Sequence, residues 1–245
     1  MLRCLVFGGS GVIGSSTTDL LARMGHHVGA TYFNTPQETD SSSGSESEVF
    51  WTRCDVRDPT QVVATVESFV QTHGAPDAVI YAVGDPAETT SFIDPAAQAQ
   101  YVLVTAAELR RALDLNTLGA IHVCQAVSNI MTATGGNIVI VGALDGFKAM
   151  PSPVHFAASK AALKGVVESL AKRLGAFNIR VNLVVPGLLD LGASSAIDAS
   201  LKQTYLKHCG LKRFAKREEV ADMLAWFATE NTYITGQAIV MDGGL

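Results

Sequence analysis

Phe7-Gly8-Gly9-Ser10-Gly11-Val12-Ile13-Gly14 follows an apolar run, LRCLVF at 2–7, and leads into a segment of helical period at 12–24. A strand that turns through glycines into a helix offers bare backbone N–H groups and the positive end of the helix dipole to an anion. That suits the pyrophosphate of a dinucleotide. Glycine spacing alone is a weak signal, and a structural turn is the plain alternative; the strand before and the helix after give the motif its specificity. The end of the second apolar run, Thr31-Tyr32-Phe33-Asn34, has no Asp or Glu to take a ribose 2′-hydroxyl, the arrangement that favours NAD. It has no Lys or Arg to clamp a 2′-phosphate either. With no carboxylate to repel that phosphate, NADPH is the expected cofactor and NADH the alternative. His26, His27, His73, His122 and His208 are scattered, and Cys4, Cys54, Cys124 and Cys209 lie far apart, so no metal site is expected. The thiols are expected to be free, in a reducing compartment.

The elements that must position these groups are readable from apolar period. Strands are predicted at 2–7, 27–33, 48–52, 77–83, 136–142, 179–185 and 237–241, and helices at 12–24, 59–73, 105–133, 154–176, 197–208 and 217–229. That alternation, in a chain 48% apolar and 17% charged, predicts one α/β domain over 1–245. Its core would be a Rossmann-type, doubly wound, parallel seven-stranded sheet with helices on both faces. A net charge of −5 gives no electrostatic case for nucleic acid. No apolar run reaches the ~18 residues of a membrane span and no secretory leader is evident, so a cytoplasmic protein without membrane contact is expected. Two segments break the rhythm. Residues 39–48 (TDSSSGSESE) are polar and read as a surface loop; residues 85–104 are long for a βα connection and leave the ligand-binding edge of the sheet, as a lid or a passive insertion would.

Further motifs follow in order: Cys54-Asp55-Val56, Leu115-Asn116-Thr117, Ser159-Lys160-Ala161, Val185-Pro186-Gly187, and Tyr233-Ile234-Thr235-Gly236 with Met241-Asp242-Gly243-Gly244. Together with the Gly-rich loop, they resemble the short-chain dehydrogenase/reductase family over essentially the whole chain. The resemblance implies a nicotinamide-dependent oxidoreductase working on a small molecule as a homotetramer or homodimer. It implies that Asp55 and Val56 bind the adenine side, that Asn116 holds a water beside Lys160, that Lys160 binds ribose hydroxyls, and that Pro186-Gly187 lines the nicotinamide. Gly8, Ser10, Gly11, Val12, Ile13, Gly14, Asn34, Ala82, Val83 and Gly84 complete the expected cofactor contacts. The spacing of Gly8, Gly11 and Gly14 is closer to the family's extended branch, the family's Asn-Asn-Ala-Gly reads Tyr81-Ala82-Val83-Gly84, and the Thr usual after Pro-Gly is absent from Leu188-Leu189-Asp190.

The family's chemistry needs a phenol four residues before the lysine, whose positive charge lowers the phenol's pKa so that it can exchange a proton near neutral pH. That position is Phe156, and the position of the family's serine is Ala143. Asn116 and Lys160 remain. Asp145, two residues past Ala143, is a candidate acid, with a turn-capping carboxylate as the ordinary alternative. His155 has a suitable pKa range but points about 100° from Phe156 on the helix. Ser152 and Ser159 are weaker candidates. The expected function is an atypical NADPH-dependent reductase of an activated C=C or a ketone. A catalytically silent cofactor-binding member or hetero-oligomer subunit, and a non-redox isomerase or cyclase, are the alternatives. Residues 188–214, with Leu188, Leu189, Leu191, Ile197, Leu201, Tyr205 and Leu206, would form an apolar substrate loop and helix, with ordinary packing as the equal alternative.

Overall fold

The computed structural model describes residues 1–34, 49–84, 104–150, 152–191 and 199–245. The predicted loop at 39–48, residues 85–103 of the long connection and residues 192–198 of the substrate segment lie outside the described residues. Seven strands form one sheet: β1 (Arg3–Phe7), β2 (His27–Tyr32), β3 (Phe50–Arg53), β4 (Ala78–Tyr81), β5 (Gly136–Val141), β6 (Ile179–Pro186) and β7 (Ala238–Met241). All neighbours pair in parallel, in the order β3-β2-β1-β4-β5-β6-β7. The described helices are α1 (Val12–Arg23), α2 (Pro59–His73), α3 (Ala106–Leu113), α4 (Gly119–Met131), α5 (Val154–Leu174), α6 (Ala199–His208) and α7 (Arg217–Thr229). This is the doubly wound Rossmann-type sheet that the apolar pattern predicts.

Alternation along each strand divides the core in two. Leu5 and Phe7 of β1 pack with Val79, Tyr81, Ile138 and Ile140 under α2, α4 and α5. Cys4 and Val6 pack with Ile80, Val139 and Val141 under Leu21 of α1 and Leu224 and Phe227 of α7. Burial on both faces is why these strands read as unbroken apolar runs. Each fully buried aliphatic or Phe side chain contributes roughly 1.5–3 kcal/mol. α2 starts sharply because Asp58 caps it, accepting from the Thr60 N–H at 2.9 Å, with Pro59 as its first residue.

Several element bounds shift by one or two residues from the sequence reading, and one helix is broken. β3 spans 50–53 rather than 48–52. The helix expected over 105–133 is interrupted: α3 ends at Leu113, Asp114–Leu118 forms a π-helical turn, and α4 begins at Gly119. All four cysteines are buried and free. Among the described residues, no helix is long and apolar enough to cross a membrane, and no three His, Cys, Asp or Glu side chains are grouped to hold a metal.

The strand order reverses direction at β1 and β4, and ligands bind beyond the C-terminal ends of such a pair. Phe7 pairs with Tyr81, and the Ala82 N–H continues the ladder to the Phe7 carbonyl (2.9 Å). The Gly-rich loop and Ala82-Val83-Gly84 therefore leave the sheet side by side.

Candidate functional site

A cavity of about 450 Å³ opens at this switch point. Gly8, Ser10, Gly11, Asn34, Asp55, Val56, Ala82, Val83 and Gly84 line it, all of them expected cofactor contacts. Gly8 has φ +81°, and a Cβ there would meet Val83 Cγ2 at 2.9 Å and the Ala82 carbonyl group at 3.0 Å. A Cβ on Gly14 would overlap the Gly8 carbonyl oxygen. The loop is held to β2 by the Gly8 N–H, which donates to Thr31 Oγ1 at 2.9 Å. It is closed by the Gly11 N–H donating to the Gly8 carbonyl at 3.0 Å. At the entry to α1, Gly11 supplies no capping side chain and the first turn carries no acid. That end is left suited to an anion, and the residues fit a dinucleotide pyrophosphate. Val12, exposed, and Ile13, packed against the α1 side of the core, open α1 and are not among the residues that line the cavity.

The adenine-side end holds charges that the β2 tip alone did not reveal. Arg53 and Arg57 flank the Phe33 ring, their guanidinium carbons 5.4 and 5.3 Å from its centroid. Arg57 also grips Asp55 through both carboxylate oxygens, at 2.9 and 2.7 Å. Those hydrogen bonds hold the Asp55 carboxyl below the usual carboxylate range, against a smaller opposing effect of burial. Residues 31–34 carry no Arg or Lys themselves, and the two arginines at this tip come from the neighbouring strand and its turn. β3 pairs Arg53 with Tyr32, and the turn after β3 brings Arg57 to the same place. Thr31, Arg57 and Arg111 are further lining residues that the sequence reading missed.

The other half of the site is built around α5. Lys160 is buried, and its ammonium donates to the Val141 carbonyl at 3.3 Å. Burial pulls its pKa down to about 8, with Asp145 acting weakly in the opposite direction. A Cβ on Gly84 would stand 3.3 Å from Lys160 Nζ and 3.7 Å from Asn116 Oδ1, so the three residues meet at one point. Asn116 is buried in the π-helical turn, and its amide donates to Ser159 Oγ at 2.9 Å. The Phe156 ring faces Lys160, its centroid 6.0 Å from Nζ. It occupies the position at which the sequence resemblance expects a phenol. Ala143 follows β5 in extended conformation.

Asp145 lies in the short helical turn Leu144–Gly146, which presses so closely on α5 that a Cβ on Gly146 would stand 2.6 Å from the Ala161 nitrogen. Burial raises the Asp145 carboxyl above its ordinary range. Its own backbone N–H, the Ser152 hydroxyl and the Lys160 charge act against that. The Ser152 hydroxyl is itself buried without a well-formed hydrogen bond. His155 precedes Phe156 on α5, and its buried Nδ1 has no hydrogen-bond partner. Pro186 ends β6 opposite Met241, and the Gly187 N–H donates to the Met241 carbonyl at 2.9 Å. A Cβ on Gly187 would overlap the Tyr205 hydroxyl, which places α6 against this turn.

The comparisons with known proteins agree with this geometry. Residues 9–245 match the family model described as enoyl-(acyl carrier protein) reductase. The zebrafish (Danio rerio) protein named carbonyl reductase family member 4 is 34% identical, over 98% of this chain and 96% of its own. A short-chain type dehydrogenase/reductase from Mycobacterium ulcerans superposes with a TM-score of 0.87 at 26% identity, over 99% of this chain and 89% of that one. A 3-oxoacyl-[acyl-carrier protein] reductase from Brucella melitensis, solved with bound NAD, superposes at 0.84 and 25% identity, over 100% of this chain and 90% of that one. Glycine loop, switch-point cavity and buried lysine thus occur in a chain that belongs to the short-chain dehydrogenase/reductase family of oxidoreductases.

Proposed function

We propose that the protein is an NADPH-dependent reductase acting on an activated C=C, or on a ketone, of a small and largely apolar substrate, without a tyrosine acid. The observation that carries this reading is the Phe156 ring facing Lys160 at 6.0 Å, beside an otherwise complete dinucleotide cradle. A benzene ring neither donates nor accepts a proton, so the lysine-assisted phenol step has no counterpart here. A positioned general acid contributes ~10²–10⁴-fold, and holding the reacting groups together is worth more. Hydride transfer can therefore survive the loss. In conjugate reduction, negative charge develops on a remote oxygen and the carbon takes its proton from solvent. A ketone needs another donor: a hydroxyl of the substrate itself, or Asp145, whose carboxyl burial raises above its ordinary range. A bound nicotinamide supplies the hydride; Lys160 would hold its ribose and the Gly8–Gly14 loop its pyrophosphate.

Arg53 and Arg57 beside Phe33 support NADPH over NADH. Arg57→Ala is expected to weaken NADPH binding roughly tenfold or more, the scale of a charge-assisted hydrogen bond to phosphate, while NADH changes by less than about threefold. Calorimetric titration with both cofactors checks this; equal losses would remove the argument.

The test of the function itself is NADPH oxidation against a panel of enones and ketones. Because the relatives carry ketone-reductase names, the panel includes 3-oxoacyl thioesters. Turnover with at least one compound is expected. Tight cofactor binding with no turnover anywhere would replace this reading with a silent, cofactor-binding subunit. Failure to bind any dinucleotide would point to non-redox chemistry.

A further inference from the structure

We propose that Tyr81 is a positioning residue: its hydroxyl, admitted by the missing side chain of Gly119, holds open the helical turn that carries Asn116 and so fixes Asn116 beside Lys160. Tyr81 ends β4, and its ring is fully buried. A phenylalanine would fill the same apolar space, whereas a buried phenol must find a partner. Tyr81 Oη donates to the Leu115 carbonyl at 2.5 Å, across 34 residues of sequence. Leu115 lies within the π-helical turn Asp114–Leu118, where the Gly119 N–H reaches back five residues to the Asp114 carbonyl. An inserted side-chain donor and a π-type bulge are each recognised causes of a break in an α-helical ladder.

Gly119 completes the device. A Cβ there would stand 2.5 Å from Tyr81 Oη and 2.8 Å from Val56 Cγ2, so only glycine lets the phenol reach the turn. The turn is tied on its other side to α5. Asn116 Nδ2 donates to Ser159 Oγ at 2.9 Å, Thr117 Oγ1 donates to the Ser159 carbonyl at 2.8 Å, and Ser159 Oγ donates to the Phe156 carbonyl at 2.8 Å. The chain of contacts runs from the end of β4, through the bulge, to the turn of α5 that bears Phe156 and Lys160. Tyr81 thus acts on the site through Asn116 without touching it.

Tyr81→Phe removes one oxygen and keeps the packing. Ser128→Ala is the comparator, since it removes another buried helix-side hydroxyl, which donates to the Cys124 carbonyl within α4. Both variants are expected to lose some stability. In Tyr81→Phe alone, relaxation of the bulge lets water reach the ammonium, so the Lys160 titration followed by ¹³C NMR of labelled lysine moves upward. NADPH affinity measured by calorimetry should stay within about threefold, since the pyrophosphate loop is untouched. Where the panel above finds turnover, kcat should fall roughly tenfold to hundredfold with KM little changed, the scale of a sub-ångström to 1 Å misplacement. The turnover arm rests on the reductase reading; the titration arm does not, so the two can fail separately. If Tyr81→Phe matches Ser128→Ala in the Lys160 titration, Tyr81 is merely a core residue and the proposal is overturned.

Discussion

Phe156→Tyr combined with Ala143→Ser is expected to raise turnover of simple ketones with NADPH by roughly 10²–10⁴-fold, the contribution of a positioned general acid. The neighbouring side chains already stand close together. The Phe156 ring faces Lys160, Asn116 is buried next to that lysine, and Gly84 leaves room where they meet. A hydroxyl added to the ring would sit in the field of the Lys160 ammonium, which lowers a phenol's pKa. Ala143 is half-buried at the mouth of β5, so a serine there adds a small donor without filling a packed core. Phe156→Tyr alone should recover most of the gain, because the serine orients the carbonyl while the tyrosine moves the proton. Initial rates over a ketone series, with cofactor affinity measured in parallel, test this. Unchanged cofactor binding with no gain in rate would mean that Lys160 and Asn116 are not poised for proton transfer in this chain.

Lys160→Met should make the protein more stable at neutral pH while weakening its hold on the cofactor. An unfolded lysine titrates near 10.5 and Lys160 near 8, because burial disfavours its charged form. Below about pH 8 the ammonium is charged in both states, and its burial costs up to about 3 kcal/mol. Between pH 8 and 10.5 the unfolded chain binds more protons than the folded one, so wild-type stability rises with pH across that window relative to the variant. Methionine fills similar space with no charge to desolvate. The gain is reduced because Asp145 loses the nearby positive charge that opposes its own desolvation. A net gain of about 1–3 kcal/mol at pH 7, shrinking to nothing near pH 10.5, is the expected pattern in urea melts across pH. A loss of stability at pH 7 would show that the contact with the Val141 carbonyl outweighs the desolvation of the charge.

These expectations also show which parts of the molecule were legible. The strands were, because burial on both faces leaves runs such as CLVF and AVIY that no other element explains. The glycine loop was, because steric closeness of Gly8 to Ala82 and Val83 demands the residue type that the motif displays. Asn116 and Lys160 were found by resemblance, and the fold brings them together. The break at Asp114–Leu118 was not legible. A π-helical turn has ordinary helical composition, and the phenol bonded to it comes from a strand 34 residues earlier. The basic pair at Phe33 was hidden for a similar reason: a search of the β2 tip cannot see residues that the neighbouring strand and its turn deliver. His155 shows the converse. It is next to Phe156 in sequence, yet its buried Nδ1 bonds to neither Phe156's neighbours nor any other described group.

The four buried thiols have a practical consequence. Cys4, Cys124 and Cys209 are each at most 1% exposed and Cys54 only 3%. Burial pushes Cys4 and Cys124 up to about 12 and also raises Cys54, so little thiolate is available to an alkylating reagent in the folded protein. Modification must wait for an opening event. The four sit in or beside different elements: β1, the turn after β3, α4 and the end of α6. Mass-resolved alkylation therefore works as a four-channel clock of local breathing without any engineered label. The Cys54 channel reads the switch-point cavity itself, since that residue lines it.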